Sequence, residues 1–197
     1  MNKLIISVSG TAIIALPFVL WLPTVSSGLP AGLYFNGVGR LFALWAFCLV
    51  IFQFLSISGI GRLEKDIGKA RLVKIHKVQG VVILVLLLLH PALLSVSELS
   101  LGYMSPVSAL KILGICALII LLISSGSALF HKRLHLAYKL WKRVHMLNYI
   151  LFPLIFMHSY LIGSDLLAWH LKIFWIAGGL VYLVVLSKKI RAKYVQV

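Results

Sequence analysis

The chain has 197 residues, 61% hydrophobic and only 12% charged, with a mean hydropathy of +1.06. A soluble domain would carry about a quarter charged residues. Apolar runs of about 20 residues recur instead, each long enough to cross a hydrocarbon core roughly 30 Å thick. These features imply an all-α integral membrane protein. The formal charge of +15 does not indicate a nucleic-acid partner, because the cations sit in the connections between apolar runs and form no soluble face.

Six spans are expected. The first is Leu4–Leu22, with Pro17 inside it. Lys3, the apolar run and the VSSG at Val25–Gly28 resemble a signal peptide, but the run exceeds the usual signal core of about 7–15 residues and is read as a helix. A Gly- and Pro-bearing connection, Pro23–Gly39, leads to span two, Arg40–Gly59. The loop Ile60–Ile75 is basic and also holds Glu64 and Asp66. Span three is His76–Val96 and span four Ala109–Leu129. The loop Phe130–Arg143 carries Lys132, Arg133, Lys139, Lys142 and Arg143. Span five is His145–Ile162, span six Leu171–Leu186, and the tail reads SKKIRAKYVQV.

Charge sets the orientation. With Lys77, at the start of span three, counted in the loop before it, Lys3, the loops after spans two and four, and the tail collect 16 of the 19 cations. The positive-inside rule then makes both termini and these loops cytoplasmic. Arg40, Lys111 and Lys172 remain on the other side, at span ends where long side chains snorkel. Tryptophan and tyrosine residues mostly fall near span ends, as in an aromatic belt. Cys48 and Cys116 lie inside spans, which argues against a disulfide framework or a cysteine-based zinc or iron–sulfur site and leaves them as buried packing groups. The only acids are Glu64, Asp66, Glu98 and Asp165, in loops or at span ends. Hydrolytic carboxylate pairs and carboxylate proton relays are therefore not expected.

Histidines inside a bilayer are costly and point to function. Four occur as two matched pairs. His76 and His90 lie 14 residues apart on span three, roughly 21 Å along a helix. His145 and His158 lie 13 apart on span five, roughly 20 Å. Both spans run outward from the cytoplasm, so His76 shares a level with His145, and His90 with His158. One porphyrin clamped at each level would make two bis-imidazole b-type haems, suited to electron transfer. Fourteen residues fall about 40° short of four turns, so His76 and His90 share a face. Thirteen fall about 140° short, so His145 and His158 need a distorted helix, for which Pro153 is the candidate, or haems rotated relative to each other. Gly80, one turn after His76, would let a flat ring approach the backbone, and Pro91 frees a carbonyl one turn before it. Both residues are also common in membrane helices. His131 and His135, at i and i+4, could share a helix face but read better as a solvated basic loop. His170 reads as an interface residue, and Phe152 and Phe156 as core packing.

The motifs HKVQGVVILVLLLLH and HMLNYILFPLIFMH, the approach WKRVHMLNY and the pair Gly39-Arg40 resemble the ferric-reductase-like transmembrane family. That family includes NADPH oxidases, metalloreductases and the haem-binding membrane subunit of a bacterial methionine sulfoxide reductase system. The resemblance implies a six-helix core with axial histidines His76, His90, His145 and His158. It implies electron entry from a cytoplasmic flavin and an outer-side acceptor such as oxygen or ferric iron, with Arg40 as the basic residue near the outer haem. A multi-pass protein of the bacterial cytoplasmic (inner) membrane is expected. The sulfoxide-reductase subunit's pattern lacks the histidine matching His76, which favours the oxidase or metalloreductase branch.

Residues 1–187 are then the haem-binding domain, and 188–197 resemble the basic connector and first strand of a flavin domain. FAD and NAD(P)H would act only through a missing domain or a separate reductase partner. Two alternatives stay open. One is a quinol-fed haem subunit of a periplasmic reductase. The other is a haem-free metal transporter, for which mid-membrane carboxylates would be expected and are lacking.

Overall fold

The computed structural model describes residues 15–24, 30–57 and 61–194. All regular structure among them is helical: α1 (Ala15–Thr24), α2 (Ala31–Ile57), α3 (Gly61–Ile67), α4 (Lys69–Ser100), α5 (Ala109–Phe130), α6 (Tyr138–Met146), α7 (Asn148–Ile162) and α8 (Trp169–Tyr194). Among the described residues, five stretches are long and apolar enough to cross a membrane: α2, α4, α5, α6 together with α7, and α8. The protein is thus an integral, multi-pass membrane protein. Of the expected first span, Leu4–Ile14 lie outside the described residues, and its end is α1, where Pro17 is buried. The chain divides into two compact units, one of Met1–Ser105 with Ala168–Val197, the other of Pro106–Leu167.

In the first unit α2 starts well before the expected Arg40. Pro30 stands just ahead of it, where a fixed φ prepares a helix, and its carbonyl accepts from Leu33 N at 2.9 Å. The glycines that suggested a loop serve close packing instead. A Cβ on Gly32 would run into Ser100 Oγ, one on Gly37 would lie 3.3 Å from the Trp21 ring, and one on Gly39 would lie 3.2 Å from the His90 carbonyl. Gly39-Arg40 therefore lies within α2 and does not open it.

The loop expected at Ile60–Ile75 is mostly helix. α3 and α4 meet at Gly68, whose φ of +85° is one that a residue with a Cβ rarely adopts. α4, at 32 residues, is about 48 Å long and overshoots a hydrocarbon core of ~30 Å. Its exposed first turns, with Lys69, Arg71 and Lys74, are what the composition marked as a loop. Pro91 sits inside α4 without ending it.

α8 packs on α2. Trp175 stacks flat on Phe47, centroids 3.8 Å apart and planes within 4°. Tyr182 meets Phe54 edge-on at 5.3 Å. Trp21 and Trp175 are buried, so they belong to the core and not to an interfacial belt. α8 continues to Tyr194, so residues 188–194 of the expected connector prolong the last helix, and the final three lie outside the described residues.

The second unit begins with α5, as expected, capped by Ser108 Oγ accepting from Lys111 N at 3.3 Å. The expected fifth span is two helices. Its ladder is interrupted at Leu147, where Leu147 N bonds to Val144 O at 3.1 Å and Ile150 N to Leu147 O at 2.9 Å. Pro153 lies inside α7 without breaking it. Ala117, Leu121, Leu151 and Phe152 form the core between α5 and α7. Cys116 is exposed rather than buried, a position on a span that a weakly polar thiol tolerates.

Gly178 tests the aromatic seam of the first unit. A Cβ there would lie 2.9 Å from Phe47 Cε1. Gly178→Val should unseat the Phe47–Trp175 stack and cost about 1–3 kcal/mol. The check is the melting midpoint of tryptophan fluorescence in detergent, which should fall by several degrees; an unchanged midpoint would contradict the packing.

Candidate functional site

The four span histidines fall two to each unit. In the first, His76 and His90 are half-buried on α4. His90 Nδ1 lies 2.9 Å from the Gly39 carbonyl on α2. A carbonyl oxygen can only accept, so Nδ1 carries the proton and Nε2 carries the lone pair. At His76 the tie is on the backbone, where Gln53 Nε2 donates to the carbonyl at 2.8 Å. The residue numbers of the two tied pairs, Gly39 with His90 and Gln53 with His76, add to the same total, as in a straight antiparallel pair. α2 thus holds α4 at two points whose separation along α2 equals that of the two histidines along α4.

Arg40 directly follows Gly39 and is half-buried on α2. Its backbone therefore lies at the level of His90, where the family resemblance asks for a cation. Gly80 faces α2: a Cβ there would lie 3.6 Å from Gln53 Nε2, an ordinary contact.

The second unit repeats the device with other residues. His158 Nδ1 lies 2.7 Å from the Leu110 carbonyl on α5, which again fixes Nδ1–H and leaves the lone pair on Nε2. Gly114 makes room for this ring, since a Cβ there would lie 2.7–3.0 Å from three of its atoms. His145, on α6, has Nδ1 at 3.4 Å from Oγ of the fully buried Ser124. Leu110 and Ser124 are spaced along α5 as Gly39 and Gln53 are along α2. The Trp141 indole lies nearly parallel to the His145 ring, centroids 5.6 Å apart and planes at 18°.

The interruption at Leu147 falls between the two histidines. Its i→i+3 bonds advance the chain by about 120° per residue instead of about 100°. That is the sense needed to reduce the rotation gap between His145 and His158, about 140° in a straight helix. The change arises just after His145 and not at Pro153.

The other histidines differ. His170 directs Nε2 to the Leu20 carbonyl at 3.0 Å, which ties the start of α8 to α1. His131 directs Nδ1 to Ala128 O, one turn back, at 3.0 Å. His135 has a left-handed φ of +48° in the turn after α5, so His131 and His135 do not share a helix face.

Sequence reasoning found the four span histidines but not their partners. Gly39, Gln53, Leu110, Gly114 and Ser124 are ordinary residue types in membrane helices. The signal available was the equal spacing from Gly39 to Gln53 and from Leu110 to Ser124, visible only once each helix is set antiparallel to its neighbour. The pattern around Trp141 marks an interface aromatic in a motif, whereas the structure sets its ring against His145.

An axial haem ligand is a neutral imidazole that gives a lone pair from one nitrogen while the other N–H is held by a carbonyl or similar group. His90 and His158 present that donor, Nε2, and His145 can do so through Ser124, so these three histidines fit the group. These observations define a multi-pass helical membrane protein with oriented imidazoles inside its spans. Residues 42–156 match the ferric reductase like transmembrane component, and the chain belongs to that family. The matched stretch contains His76, His90 and His145, with Arg40 and His158 just beyond its two ends. No curated protein matches the chain.

Gly114→Ala should push the His158 ring off the Leu110 carbonyl. In haem-free protein with ¹⁵N-labelled histidine, the Nδ1-protonated signal assigned to His158 should be lost while that of His90 persists. Retention of both signals would show that Gly114 does not seat the ring.

Proposed function

We propose that the chain is the membrane-embedded electron-transfer component of an oxidoreductase. In this reading His76 and His145 hold one b-type haem at the cytoplasmic level, and His90 and His158 hold another at the outer level. The observation that carries it is the shared chemistry of His90 and His158, which both direct Nδ1–H to a backbone carbonyl of a neighbouring helix. When bound, each haem would supply a one-electron carrier suited to electron transfer.

The chain's own residues supply position and insulation. Carbonyls of Gly39 and Leu110 hold Nδ1–H of His90 and His158 and so leave Nε2 as the nitrogen that would give its lone pair to the iron. Gly114 gives the His158 ring its space, and the Trp141 indole holds the plane of His145. Gly80, one turn beyond His76, faces α2 and leaves no side chain of its own between α4 and Gln53. The apolar spans exclude water, so charge moved between the two levels is not leaked to solvent. Arg40, at the level of His90, would attract an anionic reduced acceptor or a haem carboxylate on the outer side.

Charge distribution supports cytoplasmic termini, with α3, the start of α4 and α6 facing the cytoplasm. Electrons would come from FAD in a cytoplasmic reductase domain or subunit fed by NAD(P)H. The acceptor would be a small outer-side oxidant such as oxygen or a ferric chelate.

A dithionite-reduced minus oxidised visible spectrum of the purified protein tests the reading. Sharp b-type bands with about two haems per chain are expected. His90→Leu and His158→Leu should each abolish the same haem, and His76→Leu and His145→Leu the other. A flat spectrum would leave a haem-free transporter. One haem per wild-type chain would favour the quinol-fed subunit, and loss of different haems in His90→Leu and His158→Leu would break the proposed pairing.

A further inference from the structure

The turn after α5 and the helix α6 bear a concentrated charge that the electron-transfer reading leaves without a role. Lys132, Arg133, Lys139, Lys142 and Arg143 are all exposed. The unit that contains them, Pro106–Leu167, has one acid, Asp165, which lies beyond the far end of α7. Within this unit the five cations have no carboxylate beside them.

The turn holds its cations in place. Leu134 N bonds to Phe130 O at 2.8 Å, His135 N to Lys132 O at 3.3 Å and Leu136 N to His131 O at 3.0 Å. On α6, steps of about 100° per residue put Lys139, Lys142 and Arg143 on one arc about 100° wide. Leu140, Trp141, Val144 and His145 occupy the opposite side, where Trp141, Val144 and His145 are half-buried. Leu134, Tyr138 and Leu140 stand exposed by 58%, 68% and 49%, interleaved with the cations in sequence, with Tyr138 and Leu140 flanking the arc on α6. α6 then runs directly into α7, within the span candidate Tyr138–Ile162.

We propose that the turn Lys132–Leu136 and the cationic arc of α6 form a docking site for the phosphate headgroups of anionic lipids. Cations alone would serve an acidic protein face equally well. Exposed leucines and a tyrosine among them, on a helix continuous with a span, match the boundary between headgroups and acyl chains. Lysine and arginine ammonium and guanidinium groups would pair with lipid phosphates while Leu134, Tyr138 and Leu140 enter the acyl region. The site involves no haem and stands apart from the reading above.

The test uses the full chain in neutral detergent, titrated with phosphatidylglycerol or phosphatidylcholine and followed by native mass spectrometry. The wild type should retain phosphatidylglycerol at least about tenfold more strongly. The triple variant Lys139→Gln, Lys142→Gln, Arg143→Gln should lose on the order of a hundredfold in that retention, at about fivefold per cation. The control variant Lys188→Gln, Lys189→Gln, Arg191→Gln should keep it. Wild-type selectivity should also collapse as salt rises to about 0.5 M, a readout independent of whether the variants fold. Equal retention of the two lipids by the wild type, or a triple variant that behaves like the control, overturns the proposal. An acidic protein partner whose capture depends on these cations, with no lipid selectivity, overturns it in favour of a protein interface.

Discussion

An imidazole inside hydrocarbon has no water to accept its N–H, so a protein group must accept it. That requirement organises both units. A backbone carbonyl that accepts from Nδ1 settles the tautomer, the ring's direction and the identity of the remaining donor nitrogen in one contact. His90 and His158 meet the requirement on different helices with different partners, Gly39 and Leu110. The helices bearing these carbonyls are as much a part of the site as those bearing the rings.

The packing around these contacts follows from the same need. A ring can reach the main chain of the next helix only if the two helices come close or leave a gap. Gly39 provides closeness, since its missing Cβ lets α2 approach the His90 carbonyl. Gly114 provides the gap, into which the His158 ring settles. In water either glycine would weaken its helix by about 1 kcal/mol relative to alanine. Here Gly114 leaves space that an added Cβ would take from the His158 ring, and Gly39 spares the His90 carbonyl a crowded contact at 3.2 Å.

The spans and the four histidines were legible in the sequence because both depend on residue type alone: long apolar runs, and titratable groups where the bilayer disfavours them. Boundaries set by packing were not. Glycines in the stretch before Arg40 signalled a loop, yet they serve helix contact. Lysines before His76 signalled a loop, yet they decorate a helix longer than the bilayer is thick. The distortion of the fifth span was expected at Pro153 and occurs at Leu147, a residue with no local breaking tendency, so nothing in the one-dimensional pattern marks it. His131 and His135 had helical spacing, but the chain leaves the helix at that point and the left-handed turn at His135 separates them.

The matched intervals, Gly39 to Gln53 on one rod against His76 to His90 on the other, have an evolutionary consequence. One residue added to or removed from α2 between its two ties would shift everything beyond it by about 1.5 Å and about 100°. One end of α4 could then stay in register only if the other slipped. Length changes should therefore accumulate in the connections between helices, while within this pair of rods an indel survives only with a compensating indel in its neighbour.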